Sequence, residues 1–280
     1  MDFPHPCLAV LGDPISHSLS PAMHHAALQA LAASHAQLAQ VKYLRLHIKP
    51  DELAQALTAL RSKNFIGLNL TVPHKIAALS LVKSLSPEAR KAESINTLVP
   101  TQGGWAGHTT DGQGFLEALT EYSGSGVNQK DIIILGAGGA ARAIAATCLL
   151  SGCRTLTIAN RDITKAKNLV AALNDPRVSG VGLKEINNIQ LGSIIVNCTI
   201  LGLKPDDELP VAESLLKNAG FIFDTTYGAH ETTLIKTANK LGVKSCDGRS
   251  MLRWQGALAF KLWTGITPPH QPMRVALGEK

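Results

Sequence analysis

Residues 131–142 of this 280-residue chain have the sequence DIIILGAGGAAR, and this stretch indicates the architecture of the protein. Asp131–Leu135 forms a short apolar run of the kind that is buried on both faces of a parallel sheet. The glycines that follow open a helix, which we expect to reach about Leu150. A buried strand, a glycine turn and a helix in direct succession predict one βα unit of a doubly wound sheet.

The same short apolar pattern recurs along the chain after this unit. Helical stretches separate four further predicted strands, which are Thr155–Ala159, Ser193–Cys198, Phe221–Asp224 and Val243–Cys246. Strands that alternate with helices favour a largely parallel sheet with helices on both faces. The part of the chain after the Ser123–Gly126 stretch is therefore predicted to form a Rossmann-like domain.

The first half of the chain also alternates between strands and helices. Its predicted strands are Cys7–Leu11, Val41–Ile48, Phe65–Thr71, Ile95–Val99 and Trp105–His108. Helices are predicted over residues 20–33 and 50–62, and a short one directly after Pro73. Ser20 has the side chain preferred at a helix N-cap, and Pro21 is favoured in the first turn. Near the end of the chain we expect a helix from Arg249 to about Trp263, followed by an irregular tail.

The composition excludes several classes of protein. With 45% hydrophobic and 17% charged residues, the chain has enough apolar material for folded cores. No apolar run approaches the roughly 20 residues that cross a bilayer, so no membrane partner is expected. The net charge is +6, but the basic residues are dispersed and only 4% of residues are aromatic, so nucleic-acid binding is not expected. A modest positive excess fits an anionic small-molecule substrate or a phosphorylated cofactor.

The cysteines and histidines predict a reducing compartment and no metal site. The five cysteines are scattered and include no C-x-x-C pair, which argues against a disulfide framework and against a zinc knuckle. No His-x-x-x-His pair occurs, so no metal is expected. The N-terminal residues Met1–Pro6 lack the basic and apolar regions of a signal peptide. We therefore expect a cytoplasmic protein.

The glycine turn has the context of a dinucleotide-binding fingerprint, because it lies between a buried strand and a helix. Its residues are Gly136, Ala137, Gly138, Gly139 and Ala140. Glycine allows a sharp turn and lets backbone N–H groups approach a pyrophosphate at the helix N-terminus. The last glycine of the usual spacing is replaced by Ala141, which is small enough for close packing of helix on strand. The alternative is a tight βα turn that binds nothing.

The residues at the end of the next strand bear on the choice between NADP and NAD. NAD sites usually place an acidic residue there to hold the ribose hydroxyls, whereas this chain has Asn160 followed by Arg161. The Arg161 guanidinium is suited to a 2′-phosphate, and Lys165 adds positive charge one turn into the next helix. Asp162 would either repel that phosphate or bind a free ribose. NADP is therefore the predicted cofactor, and NAD is the alternative because of Asp162.

A second group of candidate site residues lies in the first half of the chain. Asn69 and Thr71 lie on one face of a predicted strand, and Pro73 then begins a helix with Lys75 in its first turn. A lysine at a helix N-terminus is unfavourable for the helix dipole, so its position calls for a functional reason. Taken alone, a solvated surface lysine is the simpler interpretation. Further candidates, each of which helix capping or a turn explains when taken singly, are Ser18, Ser20, Asn96 and Asp111.

Taken together, the motifs of this chain resemble those of the shikimate dehydrogenase family. They occur in the order expected for the family and extend over nearly the whole chain. The matching segments are Gly12–Pro21, Asn69–Lys75, Ser94–Thr97, Thr110–Gly114, Gly136–Ala143, Asn160–Arg161, Asn197–Thr199, Asp224–Tyr227 and Gly248–Ala257. Chance does not account for agreement between so many separated motifs.

The resemblance implies a role for each matching residue. Ser18 and Ser20 are assigned to the substrate carboxylate, and Lys75 and Asp111 to the catalytic pair. The residues assigned to the ring hydroxyls are Thr71, Asn96, Asp111 and Gln255, with Tyr227 nearby. Thr199 joins the cofactor-binding residues given above. In this interpretation Lys75 stabilises a developing alkoxide and supplies a proton, while Asp111 orients it.

The resemblance also implies the domain organisation and the activity. It implies an N-terminal α/β substrate-binding domain over residues 1–112, completed by residues 248–280. A Rossmann-like NADP-binding domain would span residues 113–247, and the active site would lie in the cleft. The implied activity is reversible, NADP-dependent reduction of 3-dehydroshikimate to shikimate in chorismate and aromatic amino acid biosynthesis. The expected partner is this small-molecule substrate, and the expected state is a monomer or a homodimer.

Three alternatives remain open. The chain could be a quinate/shikimate dehydrogenase that uses NAD, although the presence of both Ser18 and Ser20 favours shikimate. A non-catalytic ligand-sensing module on the same fold would be expected to lose Lys75, Asp111 or the glycine turn, and all three are present. A dehydrogenase of another small ketone requires that the serine pair is coincidental.

Overall fold

The computed structural model describes residues 5–228 and 230–279. The chain forms two compact units. The first comprises Met1–Gly114 and Leu252–Lys280, and the second comprises Phe115–Met251. The predicted divisions, after residues 112 and 247, lie two and four residues from these limits.

The helices are short to medium in length and occur in both units. In chain order they are α1 (Ser20–Leu31), α2 (Leu53–Arg61), α3 (His74–Ala77), α4 (Pro87–Ala92), α5 (Asp111–Ser123), α6 (Gly139–Leu150), α7 (Ile163–Leu173), α8 (Glu213–Leu216), α9 (Thr233–Lys240), α10 (Gly248–Thr264) and α11 (His270–Leu277). Short 3₁₀ turns precede α2 and follow α3.

The first unit contains a six-stranded mixed sheet. Its strands are β1 (Cys7–Gly12), β2 (Lys42–His47), β3 (Phe65–Leu70), β4 (Ser84–Leu85), β5 (Thr97–Thr101) and β6 (Gly104–His108). Their order is β2-β1-β3-β5-β6-β4, in which β1, β2 and β3 are parallel and β5 is antiparallel to both β3 and β6. The turn between β5 and β6 is tight, because Gly103 adopts a φ of +78° that glycine tolerates without strain.

The core of the first unit lies on both faces of this sheet. β1 is buried at all six positions, and its side chains alternate between the two faces. Ala9 and Leu11 pack in one cluster with residues of α2. Leu8 and Val10 pack in the other cluster with residues of α1, α10 and α11. Apolar residues at every position of β1 are therefore explained by its place inside the sheet.

The second unit contains a six-stranded sheet in which all neighbouring strands are parallel. Its strands are β7 (Asp131–Leu135), β8 (Thr155–Asn160), β9 (Val178–Gly182), β10 (Ser193–Asn197), β11 (Ala219–Asp224) and β12 (Ser245–Cys246). Their order is β12-β11-β10-β7-β8-β9. When β7 is counted as strand 1 and the sheet is read from the β9 edge, this is the order 3-2-1-4-5-6 of a Rossmann fold. The predicted α/β architecture with a doubly wound parallel sheet is confirmed.

The predicted N-cap of α1 is wrong. Ser20 lies inside the helix, because the N-cap residue is Leu19 and no side chain makes a capping hydrogen bond. The hydroxyl of Ser18 instead accepts a hydrogen bond from the backbone N–H of Ser20, at 3.3 Å. The hydroxyl that contacts the backbone at this helix start is therefore that of Ser18 and not that of Ser20.

The prediction of an irregular tail is also wrong, because the tail contains α11. Met273 and Leu277 lie one helical turn apart and are buried in the core of the first unit. Pro272 lies in the first turn, where the missing N–H does not interrupt the helix. After the helix, Glu279 accepts two hydrogen bonds from the Arg253 guanidinium, at 2.7 and 2.8 Å. Tertiary contacts thus order a segment whose prolines indicated a loop.

Candidate functional site

Lys75 lies just after the carboxyl end of a central strand of the first unit. β3 ends at Leu70, and the backbone N–H of Thr71 donates to the carbonyl of Leu11 at 2.9 Å, which extends the pairing with β1. α3 then begins at His74, so Lys75 occupies its first turn. The side chain of Lys75 is 15% exposed, and most of its surface is therefore shielded from water.

Asp111 is the partner of Lys75. It is the first residue of α5, where the helix dipole favours a carboxylate. Lys75 Nζ donates to Asp111 Oδ2 at 2.5 Å, and the side chain of Asp111 is only 4% exposed. Because both groups are largely shielded, removal of either one would leave the other charge without compensation. The two residues assigned to the catalytic pair are thus in direct contact.

Asn96 connects Asp111 to the residues around it. The Nδ2 atom of Asn96 lies 2.9 Å from Asp111 Oδ1 and 3.0 Å from Gln255 Oε1. Its Oδ1 atom accepts a hydrogen bond from the backbone N–H of Thr110, at 2.9 Å, and this contact fixes the orientation of the amide. We call Lys75, Asp111, Asn96 and Gln255 the polar cluster.

Gln255 reaches the polar cluster because α5 and α10 approach closely at Gly114. A Cβ atom at Gly114 would lie 2.7 Å from the backbone nitrogen of Gln255 and 2.8 Å from its Cβ. Gln255 Nε2 donates to the carbonyl of Leu252 at 2.9 Å, which leaves its Oε1 for Asn96. The sequence prediction assigned no role to Gly114. The only signal was its place three residues after Asp111, which helix capping also explained, because glycine inside a helix is unfavourable.

Ser18, Ser20 and Thr71 lie in the segments that follow β1 and β3. Ser18 and Ser20 contact each other through the hydrogen bond described above, and Ser20 is buried. Thr71 packs against Gly12, since a Cβ atom at Gly12 would lie 2.5 Å from Thr71 Cγ2. Gly12 therefore allows the segments after β1 and β3 to lie side by side. The assignment of these three hydroxyl groups to a substrate stays a prediction.

The glycine turn of the second unit joins β7 to α6. Gly136 has a φ of +112°, and a Cβ atom there would lie 2.8 Å from the carbonyl oxygen of Cys198, so this position requires glycine. Gly138 is the N-cap residue of α6, is exposed, and would meet nothing within 4 Å if it carried a Cβ. Gly139 and Ala140 follow in the first turn, where backbone N–H groups point out of the helix. This open helix N-terminus fits the pyrophosphate of a dinucleotide.

The residues expected to distinguish NADP from NAD follow β8. Arg161 and Lys165 are exposed. Asp162 is the N-cap residue of α7, and its Oδ1 accepts a hydrogen bond from the backbone N–H of Thr164 at 3.0 Å. Asn160 Nδ2 donates to the carbonyl of Asp162 at 2.9 Å. The Asp162 carboxylate, which left the choice between NADP and NAD open, thus caps a helix. Serine or threonine can also fill this role.

Thr199 and Tyr227 lie in the loops after β10 and β11, and a buried pair joins these loops. Asn197 Oδ1 accepts a hydrogen bond from Thr199 Oγ1 at 2.7 Å, and Asn197 Nδ2 donates to Asp224 Oδ1 at 2.9 Å. The same carboxylate oxygen accepts from the backbone N–H of Thr226 at 3.0 Å. The start of each loop therefore depends on Asn197 and Asp224.

Asp224 is a fully buried carboxylate to which the sequence prediction assigned no role. Burial raises its pKa, and hydrogen bonds from Thr232, Thr226 and Asn197 oppose that rise. The available signal was a polar residue at the carboxyl end of each of two neighbouring apolar strands. In doubly wound sheets this edge is where ligands bind.

The described residues provide neither a metal-ligand cluster nor a membrane-spanning helix. No group of three or more His, Cys, Asp or Glu side chains is arranged to hold a metal ion within residues 5–228 and 230–279. None of the helices in this part of the chain is both long enough and apolar enough to span a membrane.

Comparison with known families agrees with both units. Residues 10–98 match the shikimate dehydrogenase substrate binding domain, and residues 118–202 match the shikimate/quinate 5-dehydrogenase family. Residues 248–277 match the shikimate 5′-dehydrogenase C-terminal domain. The fold and the glycine turn define a two-unit α/β protein of the dinucleotide-binding class. The chain belongs to the shikimate dehydrogenase family.

Individual relatives extend over nearly the whole chain. The shikimate dehydrogenase (NADP⁺) of Desulforamulus reducens is 37% identical over 276 residues, which cover 96% of this chain and 93% of the relative. The crystal structure of shikimate 5-dehydrogenase from Thermus thermophilus in complex with NADP(H) and shikimate has a TM-score of 0.85 and 35% identity, and covers 98% of each chain. The ligand-free 5-ketofructose reductase of Gluconobacter sp. strain CHM43 has a TM-score of 0.84 and 30% identity, and covers 99% of each chain.

Proposed function

We propose that this chain catalyses the reversible, NADP-dependent reduction of 3-dehydroshikimate to shikimate, a step of chorismate and aromatic amino acid biosynthesis. The observation that carries the proposal is the shielded contact between the Lys75 ammonium and the Asp111 carboxylate. Membership of the shikimate dehydrogenase family supports the substrate, and the D. reducens and T. thermophilus relatives support NADP as the cofactor.

The reduction of a ketone needs a proton donor beside the carbonyl oxygen. When bound, NADPH supplies a hydride to the carbonyl carbon. As the carbon–oxygen π electrons move to oxygen, the Lys75 ammonium stabilises the developing charge and transfers its proton to form the hydroxyl group. Lys75 is left as a neutral amine and regains a proton from solvent. In the reverse direction the neutral amine accepts the hydroxyl proton.

Asp111 has two functions in this proposal. Its Oδ2 orients the Lys75 ammonium, and the hydrogen bond from Asn96 to Oδ1 keeps the carboxylate in place. The carboxylate additionally accepts a hydrogen bond from a ring hydroxyl of the substrate.

The other polar residues recognise the acid and hydroxyl groups of the substrate. Ser18 and Ser20 donate hydrogen bonds to its carboxylate. The residues that bind its ring hydroxyls are Thr71, Asn96, Asp111 and Gln255, with Tyr227 nearby. A substrate that leaves a buried group among them unpaired, such as Asn96 or Gln255, loses about 1–3 kcal/mol of binding energy for each such group.

The second unit holds the cofactor in this proposal. The backbone of the glycine turn binds the pyrophosphate at the N-terminus of α6, and Thr199 lies on a neighbouring loop. Arg161 and Lys165 bind the 2′-phosphate. A cytoplasmic location and a monomeric or homodimeric state stay predictions from the sequence and from the family.

A second candidate function is the reduction of another small ketone. The similarity to a 5-ketofructose reductase favours this alternative. It is comparable in extent to the similarity to the T. thermophilus enzyme. The substrate named for that relative carries no carboxylate, so Ser18 and Ser20 would lack an anionic ligand. The two candidates therefore differ in whether the serine pair contributes to binding.

Assays of the purified chain test the proposal directly. Shikimate and quinate are oxidised with NADP⁺ and with NAD⁺, and 5-ketofructose is reduced with NADPH. We expect the highest kcat/KM for shikimate with NADP⁺, and a lower kcat/KM for shikimate in Ser18→Ala. No turnover of shikimate, or a preference for quinate or 5-ketofructose, would contradict the assigned substrate.

The role of Lys75 is tested separately. We expect Lys75→Ala to lower kcat by at least about 10²-fold while KM for shikimate changes little, because a general acid acts mainly in the transition state. The matched control is Lys83→Ala, which removes an exposed lysine of the same unit. A Lys75→Ala enzyme with near-normal kcat would exclude Lys75 as the proton donor.

A further inference from the structure

The helix that carries Lys75 is too short to be stable without tertiary contacts. α3 has four residues, His74–Ala77, and its N-cap residue Pro73 provides no side-chain capping hydrogen bond. One turn of helix does not persist alone, because nucleation fixes several residues for a single hydrogen bond. Ile76 and Ala77 are exposed. Within α3 the side chains that are not exposed are those of His74 and Lys75, while the carbonyl of Lys75 accepts a hydrogen bond from the backbone N–H of Ile95 at 2.9 Å and the buried Ala78 follows the helix.

His74 is fully buried and makes one specific hydrogen bond. Its Nε2 atom lies 2.8 Å from the carbonyl oxygen of Ile48. A carbonyl oxygen can only accept, so Nε2 carries the proton and the ring donates. The Nδ1 atom is buried and has no hydrogen-bond partner within residues 5–228 and 230–279. The bond to Ile48 is therefore the polar contact that holds the ring.

The carbonyl of Ile48 belongs to a well-connected part of the first unit. Ile48 follows β2, and its N–H donates to the carbonyl of Gly12 at 3.2 Å. A second contact at the same edge joins the backbone N–H of Asp13 to the carbonyl of Val72 at 3.0 Å. These bonds involve only backbone atoms, whereas the bond to Ile48 depends on the side chain of His74. The residue at position 74 therefore determines whether α3 is fastened to the end of β2.

We propose that His74 is a positioning residue for Lys75. By donating to Ile48 it fixes the rotation of α3 and so holds Lys75 Nζ against Asp111 Oδ2. Neighbouring residues on a helix point about 100° apart, so a ring directed at the end of β2 leaves Lys75 directed elsewhere, toward Asp111. The inference rests on the proposed function of Lys75 as proton donor.

Four single variants test this inference in the full chain. His74→Leu keeps apolar bulk but removes the donor. His74→Gln keeps an N–H donor at a reach similar to that of Nε2, whereas His74→Asn carries the same amide on a shorter side chain. His24→Leu is the matched control, because His24 is also fully buried but stacks on Tyr43 and not on α3.

The readout is the division of the effect between kcat and KM. We expect His74→Leu and His74→Asn to lower kcat for shikimate oxidation by about 10- to 100-fold, with KM values for shikimate and NADP⁺ within about threefold of wild type. His74→Gln should retain most of kcat, and His24→Leu should leave kcat unchanged. If His74→Gln loses as much kcat as His74→Leu, the hydrogen bond does not position Lys75 and the inference is wrong.

A second background separates positioning from a general effect on folding. If His74 acts through Lys75, His74→Leu should change the residual kcat of Lys75→Ala by less than about twofold, since the effects of coupled residues are not additive. An equal loss of kcat with and without Lys75 would overturn the inference. The failure of the proposed function is a different result, namely a wild-type chain that does not oxidise shikimate.

A crystal structure of His74→Leu provides a readout that needs no activity. We expect Lys75 Nζ to lie beyond hydrogen-bonding distance of Asp111 Oδ2 in this variant. An unchanged Lys75–Asp111 contact would overturn the inference even if the wild-type chain proved inactive on shikimate. A crystal structure of His74→Gln should retain the contact between Lys75 and Asp111.

Discussion

Asn96 donates from Nδ2 to Oδ1 of Asp111 at 2.9 Å, while the other carboxylate oxygen of Asp111 accepts from Lys75. The carboxylate is therefore held at both oxygens by donors from two different segments of the chain. One donor is a neutral amide and the other is the proposed proton donor.

Replacement of Asp111 by Asn should reduce catalysis strongly. An asparagine that still accepts from Asn96 through its oxygen must turn its own NH₂ group toward the Lys75 ammonium, so two donors would face each other. We expect kcat for shikimate oxidation to fall by at least about 10²-fold. Steady-state kinetics measure this, with Asp51→Asn, an exposed acid of the same unit, as the control. Comparable kcat values for Asp111→Asn and the control would be inconsistent with the assigned role.

Replacement of Gly114 by Ala should disturb both stability and the position of Gln255. The added Cβ would lie 2.7 Å from the backbone nitrogen of Gln255, so α5 and α10 must move apart. We expect a loss of about 1–3 kcal/mol in the free energy of unfolding, together with a lower kcat/KM for shikimate. Urea unfolding and kinetics measure the two effects.

The control for this substitution is Gly126→Ala. Gly126 would meet nothing within 4 Å if it carried a Cβ, and its φ lies outside the left-handed region. Its replacement should change the free energy of unfolding by no more than about 1 kcal/mol. If both alanine variants behave alike, the close approach of α5 and α10 at Gly114 is not needed for stability or for activity.

Replacement of Asp162 by Ser should improve the use of NADP⁺. Serine keeps an oxygen for the cap of α7 but removes the negative charge next to Arg161. We expect KM for NADP⁺ to fall by about two- to fivefold, as for an exposed charge pair, and KM for NAD⁺ to stay unchanged. Asp162→Ala should show the same kinetic change but lose about 1 kcal/mol of stability with the cap. An equal change in both KM values would show that the charge does not act on the 2′-phosphate.

His24 should make the stability of the chain depend on pH. Burial lowers its pKa to about 3, so the folded chain keeps the ring neutral while the unfolded chain protonates it below about pH 6.5. The unfolded state then binds more protons, and the free energy of unfolding falls as the pH is lowered from about 6.5 toward 3, by about 1.4 kcal/mol for each pH unit. Above pH 6.5 His24 contributes no pH dependence.

Urea unfolding of the wild type and of His24→Leu between pH 7 and pH 5 measures this contribution. The pKa values of His25 and His108 are also lowered by burial, so the wild type combines several contributions. The difference between the two proteins isolates that of His24. Parallel curves for wild type and His24→Leu would show that His24 is protonated in the folded state as readily as in the unfolded state.

Much of the fold could be predicted because it depends on local properties of the chain. The apolar run of β7 and the glycine turn after it predicted a parallel βα unit, and the structure confirms one. Gly136 adopts the positive φ that only glycine accommodates easily, so the turn is visible in the residue type alone. The helix α11 was missed, because its stability comes from the burial of Met273 and Leu277 and not from local preference.

The residues of the site were visible in the sequence, but most of their contacts were not. Lys75 stood out through its unfavourable place at a helix start, and the motifs around Asp111 and Asn96 matched a known family. Their spacing along the chain says little about distance in space. Lys75 and Asp111 are 36 residues apart in sequence, and Asn96 and Gln255 are 159 residues apart. The contribution of Gly114 comes from an absent side chain, so no functional group pointed to it.

Residue types and their periodicity alone determine the α/β class, the glycine turn and the list of candidate side chains. They do so because strand burial and backbone conformation are set by near neighbours. The pairing of Lys75 with Asp111, the bridge from Asn96 to Gln255 and the anchoring of α3 by His74 were decided only by packing in three dimensions. A hydrogen bond requires its two atoms within about 3 Å, and such a distance between remote residues exists only once the sheet and helices have packed.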